Sequence, residues 1–169
     1  MELLDELAFA MIAFDAGDAR RIQHFLKVRS LARLIALKEG MDGEARFVLE
    51  AAALTHDIGI HPAERKYGRC TGKLQEQEGP PCARELMERL GFEAAAIDRV
   101  CWLIAHHHTY EGIESMDHRV LVEADFLVNL YEDGASKEAA QAALRGVFRT
   151  AAGKALCREM FAIPTDGGE

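Results

Sequence analysis

The sequence predicts an all-α protein, a single helical bundle of six to eight helices spanning residues 1–169. Three observations carry that expectation. Alanine, leucine and glutamate dominate the long segments, which favours helix over strand. Apolar residues recur within those segments at helical spacing. Gly and Pro number only 14 and 4, and two of the prolines are adjacent.

The elements follow in order. A first helix is expected over 2–15. A second covers 18–39, with Asp18 as N-cap and Gly40 just past its end. A third covers 43–58 behind the cap Asp42. Residues 59–75 hold Gly59, Pro62, Gly68 and Gly72 and read as a long loop. A fourth helix covers 78–90, with Pro80 and Pro81 in its first turn, where amides have no helical partner, and it stops at Gly91. A fifth covers 93–107 and a sixth 116–132. One or two more fill 136–161 behind the cap Ser136, and the tail PTDGGE reads as frayed.

Composition narrows the function. Hydrophobic residues make up 49% and charged residues 28%, an ordinary globular mix. The formal net charge of −8 disfavours non-specific binding to nucleic acid, which needs a basic face. No apolar stretch approaches the roughly 18 residues of a membrane span. The start, MELLDELAF, is acidic where a signal peptide carries Lys or Arg. The expectation is a cytoplasmic protein with no membrane partner; homo-oligomerisation is left open. Cys70, Cys82, Cys101 and Cys157 form no CxxC pair and read as reduced thiols packed as small hydrophobes.

Chemistry enters where polar residues interrupt apolar stripes. His24 shares a stripe with Val28, Leu31 and Ile35. His56 follows Val48, Leu49 and Ala52 in phase, and Asp57 lies about 100° further round the helix. Asp125 lies among Leu121, Val122 and Val128, with no Lys or Arg on that stripe within a turn. Taken singly, each is ordinary: a satisfied core histidine, a helix-end polar pair, a carboxylate with a distant partner. Together they aim two imidazoles and two carboxylates inward from three helices. That donor set suits one divalent transition metal (Mn, Fe, Co, Ni or Zn; Mg less well), with positions open for water or substrate.

These residues resemble the HD superfamily of metal-dependent phosphohydrolases, all-helical proteins with the signature H…HD…D. HFLKV at 24–28, THDIG at 55–59 and EADFLVNL at 123–130 carry the resemblance, which covers about residues 18–133. VFRTAAGKAL near the C-terminus is similar to the tail of small stand-alone members. The resemblance implies His24, His56, Asp57 and Asp125 as metal ligands, with Asp57 or Asp125 also taking a proton from water. Two-metal members use further histidines before the last Asp. Here His106, His107 and His108 fill that region, and His107 is aimed inward in phase with Val100, Leu103 and Ile104.

The chain departs from the family in three places. HHHTYEGIES lacks the GYP motif of cyclic-dinucleotide hydrolases. Ile60 stands where some members carry Lys or Glu, and Gln75–Glu78 lacks a histidine of two-metal members. One metal is therefore expected and a second is left open, as are the roles of His106, His108, Glu76 and Glu78. His107 is expected to be catalytic. Lys27, His61, Arg65 and Lys66 are expected near the phosphate. His118 reads as exposed and Trp102 as core. The implied function is hydrolysis of a nucleotide or other small anionic phosphate ester. The alternatives are a non-catalytic metal- or nucleotide-binding regulatory domain and an HD-type di-iron oxygenase.

Overall fold

The structure is a computed structural model and describes residues 1–164; all of the tail PTDGGE beyond Pro164 lies outside the described residues. Among the described residues there are nine helices and no strand. They are α1 (Leu3–Phe14), α2 (Ala19–Lys38), α3 (Gly43–Thr55), α4 (Ile60–Tyr67) and α5 (Gly72–Leu90), then α6 (Ala94–Ile104), α7 (Met116–Glu132), α8 (Lys137–Gly146) and α9 (Ala151–Phe161). The all-α bundle predicted from composition and periodicity is observed, with nine helices among the described residues where six to eight were expected.

Capping chemistry sets most boundaries. Asp18 accepts from the Arg21 amide at 3.0 Å, Asp42 from Ala45 at 2.8 Å and Ser136 from Ala139 at 3.2 Å. Each satisfies an amide that the first turn would otherwise leave without a partner. Gly91 closes α5 in the left-handed region at φ 82°, a conformation that a Cβ would strain.

The core is one cluster in which α2 and α3 pack on each other and on α7, with α1 and α6 closing its sides. Phe25, Val28 and Ile35 of α2 meet Leu49 and Leu54 of α3 and Leu121 of α7, all buried. Two buried acids serve this frame. Glu50 is held by Arg29 at 3.1 Å and Arg33 at 3.5 Å. Glu123 accepts from the amides of Arg149 and Thr150 and from the Thr150 hydroxyl, fixing the start of α9 on α7.

Several expectations are corrected. Residues 59–75 are not a loop: α4 occupies Ile60–Tyr67 and α5 begins at Gly72, so most of the segment is helical. Glycine and proline content was read as loop, but Pro62 sits in the first turn of α4, where it displaces no helical amide, and Ala63 is buried. The early start of α5 leaves Pro80 and Pro81 in its interior, not in its first turn. An interior proline costs about 3 kcal/mol. Extensive packing of α5 on α4 and α6 outweighs that local preference. Trp102 is 40% exposed rather than core: it stacks on His106 at 4.2 Å and lies under the Arg99 guanidinium at 4.4 Å. His118 is buried rather than exposed, its Nε2 donating to the His106 carbonyl at 2.8 Å. The four cysteines are free thiols, as expected.

Candidate metal centre

Four side chains from three helices meet at one point. His24 comes from the second turn of α2, His56 and Asp57 from the C-terminal end of α3, and Asp125 from the middle of α7. His24 Nε2 lies 3.3 Å from His56 Nε2, 3.1 Å from Asp125 Oδ1 and 3.6 Å from Asp57 Oδ2. His56 Nε2 lies 3.6 Å from Asp57 Oδ2 and 3.5 Å from Asp125 Oδ1. Donors about 2.1 Å from one ion stand about 3.0 Å apart at right angles and about 3.4 Å apart at tetrahedral angles. The distances from each ring nitrogen to the other and to either carboxylate fall near this range; the group whose ligand atoms all lie within 4.8 Å of one another is His24, His56 and Asp57, with Asp125 beside the two rings.

The hydrogen bonds around the rings show that these residues fit a cation. His56 Nδ1 donates to the Ala53 carbonyl at 2.9 Å, and His24 Nδ1 donates to Glu132 Oε2 at 3.1 Å. Both protons are therefore on the outer nitrogens, and the two inner nitrogens present lone pairs to each other and to two carboxylates. Such an arrangement is repulsive unless positive charge sits among them. With no ion bound, His56 takes up a proton. Burial opposes its charge, but Asp57 and Asp125 outweigh burial and push its pKa up to about 9. The two carboxylates are held well below their ordinary range. Burial would raise them, and the neighbouring His56 with His107 at Asp57, and His24 with His56 at Asp125, more than reverse it.

Asp57 also faces a second set of donors. Its Oδ1 lies 3.7 Å from His107 Nε2. Asp57, His107 and His108 offer ligand atoms within 4.8 Å of one another, as do His24, His56 and Asp57. His107 is buried and its Nδ1 donates to the Ile104 carbonyl at 2.7 Å. Gln75 Oε1 stands 3.3 Å from His107 Nε2 and 2.8 Å from His108 Nε2. Burial, then the charge of His107, hold His108 down at a pKa of about 4. Gly72 lies beneath the His108 ring, where a Cβ would come within 2.9 Å of it. Glu76 Oε1 accepts from the His108 amide at 3.0 Å, so it braces the segment and does not face the ions' position.

The remaining predicted residues separate. Lys27 Nζ is paired with Glu132 Oε1 at 2.7 Å. His61 faces Asp15 at 3.4 Å, Asp18 at 3.9 Å and Glu64 at 3.3 Å. Lys66 is exposed and bonded to Glu78 at 3.0 Å, which also accepts from Tyr67. A cleft of about 250 Å³ opens onto the centre, lined by Arg20, Arg21, His24, Asp57, Asn129 and Glu132 among others; Arg65 and Lys66 are not part of it. A larger cavity of about 450 Å³ between α3, α6 and the start of α7 has no cluster of ligand atoms, and its guanidinium, Arg99, is closed on Asp117 at 2.7 Å. The chemistry therefore belongs to the smaller cleft.

Sequence reasoning missed Arg20, Arg21, Gln75, Asn129 and Glu132. Helix phase carried a signal for two of them. Asn129 and Glu132 follow Asp125 by one and two turns of α7, and Asn129 Nδ2 donates to Asp125 Oδ1 at 2.9 Å.

The profile of the HD domain matches residues 21–144, a span that contains all four converging side chains. The chain belongs to the HD-domain family. Neither a curated protein nor a solved structure matches it. In this HD domain Asp57 of the tandem His56–Asp57 is shared by both donor groups, and the all-helical frame is that of the family. No helix among the described residues is long and apolar enough to cross a membrane.

Proposed function

We propose that this HD domain, spanning the whole chain, is a metal-dependent phosphohydrolase acting on a small phosphate ester, nucleotides included. One observation carries the reading: two of the converging ligand-type side chains, His24 and Asp57, line a cleft together with the guanidinium groups of Arg20 and Arg21. His24, His56, Asp57 and Asp125 would hold one divalent transition metal. When bound, it supplies Lewis acidity toward a phosphoryl oxygen and lowers the pKa of an adjacent water.

The chain's own residues do the rest. Arg20 and Arg21 offer planar donors to an anion entering the cleft, and Arg21 is braced by Asp18 at 3.1 Å. Asp57 accepts a proton at Oδ1, the oxygen turned away from His24 and His56. His107 Nε2, 3.7 Å from that oxygen, carries the proton onward. The buried position of His107 keeps bulk water out of this exchange. A cleft of about 250 Å³, below the roughly 300–1,000 Å³ of larger ligand sites, takes the phosphoryl group of such an ester, with the bulk of a nucleotide's leaving group outside it.

The second donor group, Asp57 with His107 and His108, supports a dinuclear variant and with it the iron oxygenase reading. A phosphatase screen over nucleotides and simple esters, run with each divalent metal beside elemental analysis, tests both. Metal-dependent release of phosphate supports the hydrolase. Two irons per chain with no phosphate release refutes it.

A further inference from the structure

The three inward histidines differ in what holds the far side of the ring. His56 and His107 stand at or just beyond helix ends, where carbonyls three residues back lack helical partners, and each ring donates to one of them. His24 sits inside α2, in its second turn, where the carbonyls are committed to the helix. Its Nδ1 instead meets a carboxylate, Glu132 Oε2 at 3.1 Å, from the last turn of α7. The Glu132 side chain is only 9% exposed, and its other oxygen accepts from Lys27 Nζ at 2.7 Å. Lys27 lies one turn beyond His24 on α2, so helix phase places it beside the same carboxylate.

We propose that Glu132 is a positioning residue for the metal centre: it fixes His24 with Nδ1 protonated and the Nε2 lone pair turned toward His56, Asp57 and Asp125, while Lys27 neutralises it. A carboxylate can only accept at this contact, so it dictates which nitrogen keeps the proton. It also raises the basicity of the inner nitrogen more than a carbonyl does. Helix α7 thus serves the centre twice, through Asp125 directly and through Glu132 by way of His24. Lys27 is thereby assigned to Glu132 and not to the substrate. This proposal rests on His24 being a ligand.

The test is cobalt(II) affinity of the full chain, measured by competition with a chelator, beside thermal melts of the metal-free proteins. Glu132→Ala is expected to weaken cobalt binding by about 10–100-fold, the usual cost of losing such a partner. Glu132→Gln keeps an oxygen that accepts the same N–H, and it should bind within about threefold of wild type. Lys27→Met breaks the ion pair but leaves the contact to His24, and it too should bind within about threefold. A plain salt bridge joining α2 to α7 would behave differently, with all three variants weakened alike. That outcome, or unchanged affinity in Glu132→Ala, overturns the proposal. Should Glu132→Ala fail to fold, a loss above about tenfold in either of the other two overturns it. Wild-type protein that binds no cobalt refutes the metal centre itself, a distinct failure from wild-type binding that Glu132→Ala leaves intact.

Discussion

Asp125→Asn tests whether the convergence of side chains is a cation site or an internal polar network. Asp125 Oδ1 touches both imidazoles, at 3.1 and 3.5 Å, so the substitution removes the nearer of the two carboxylate charges shared by them, Asp57 Oδ2 standing 3.6 Å from each. At a metal concentration 100 times the wild-type Kd, binding stabilises the native state by about 2.7 kcal/mol. A ligand lost from the shell weakens binding by at least about 100-fold, which leaves about 0.4 kcal/mol at the same concentration. For a chain of this length each kcal/mol moves Tm by about 2–4 °C, so the metal-induced rise falls from about 5–11 °C to about 1–2 °C. Without metal the variant should also melt lower at neutral pH, because a charged hydrogen bond to His56 is worth about 1.5–3 kcal/mol. His56 is raised from its ordinary 6.5 to about 9, so that stabilisation is complete below pH 6.5 and is lost as pH climbs through 9. The gap between the metal-free proteins should close over the same range. Differential scanning fluorimetry with metal and with chelator reads both effects. A metal-induced rise equal to that of wild type would show that Asp125 is no ligand.

Three other outcomes follow from the same geometry. His24→Ala should lose metal and turnover together, whereas His107→Ala should keep about one ion per chain and lose turnover by about 10²–10⁴-fold; a wild-type count of two falling to one would move His107 into the ligand set. Metal binding at pH 7 should release about one proton, from His56, with affinity rising about tenfold per pH unit toward 9. Calorimetry in two buffers of different ionisation enthalpy measures it, and a heat independent of buffer contradicts it. Gly59→Ala places a Cβ 2.6 Å from the Gln75 carbonyl and 2.7 Å from the Gly79 amide, both backbone, and should cost about 1–3 kcal/mol by forcing α4 away from α5. Gly146→Ala, with nothing within 4 Å, is the control and should not lower Tm.

The four converging residues could be read in the sequence because each breaks an apolar stripe, and burial of an unpaired polar group demands a partner. His107 was legible for the same reason, although α6 ends at Ile104 and the ring is carried by the turn beyond it. Glu132 was hidden. A glutamate in the last turn of a helix is ordinarily solvated, and nothing local shows that α2 brings a histidine and a lysine to it. Arg20 and Arg21 were masked by more conspicuous basic residues at 65–69, which α4 turns away from the cleft. Helix α4 escaped notice because glycine and proline report local backbone preference, while its helical state depends on α5 packed against it. Trp102 and His118 exchanged places for a related reason: helix phase gives a direction but not what lies there.

Two of the inward histidines, His56 and His107, sit where their helices run out, at the cap of α3 and just past the end of α6. Terminal turns are the parts of a helix that open most easily, long before the whole molecule unfolds. An ion held by His56 works as a clasp on the otherwise fraying end of α3, and its departure need cost no more than the opening of one turn. Exchange of the metal is thereby uncoupled from global unfolding, and amide exchange in the last turn of α3, compared with that of α6, becomes a direct reporter of occupancy.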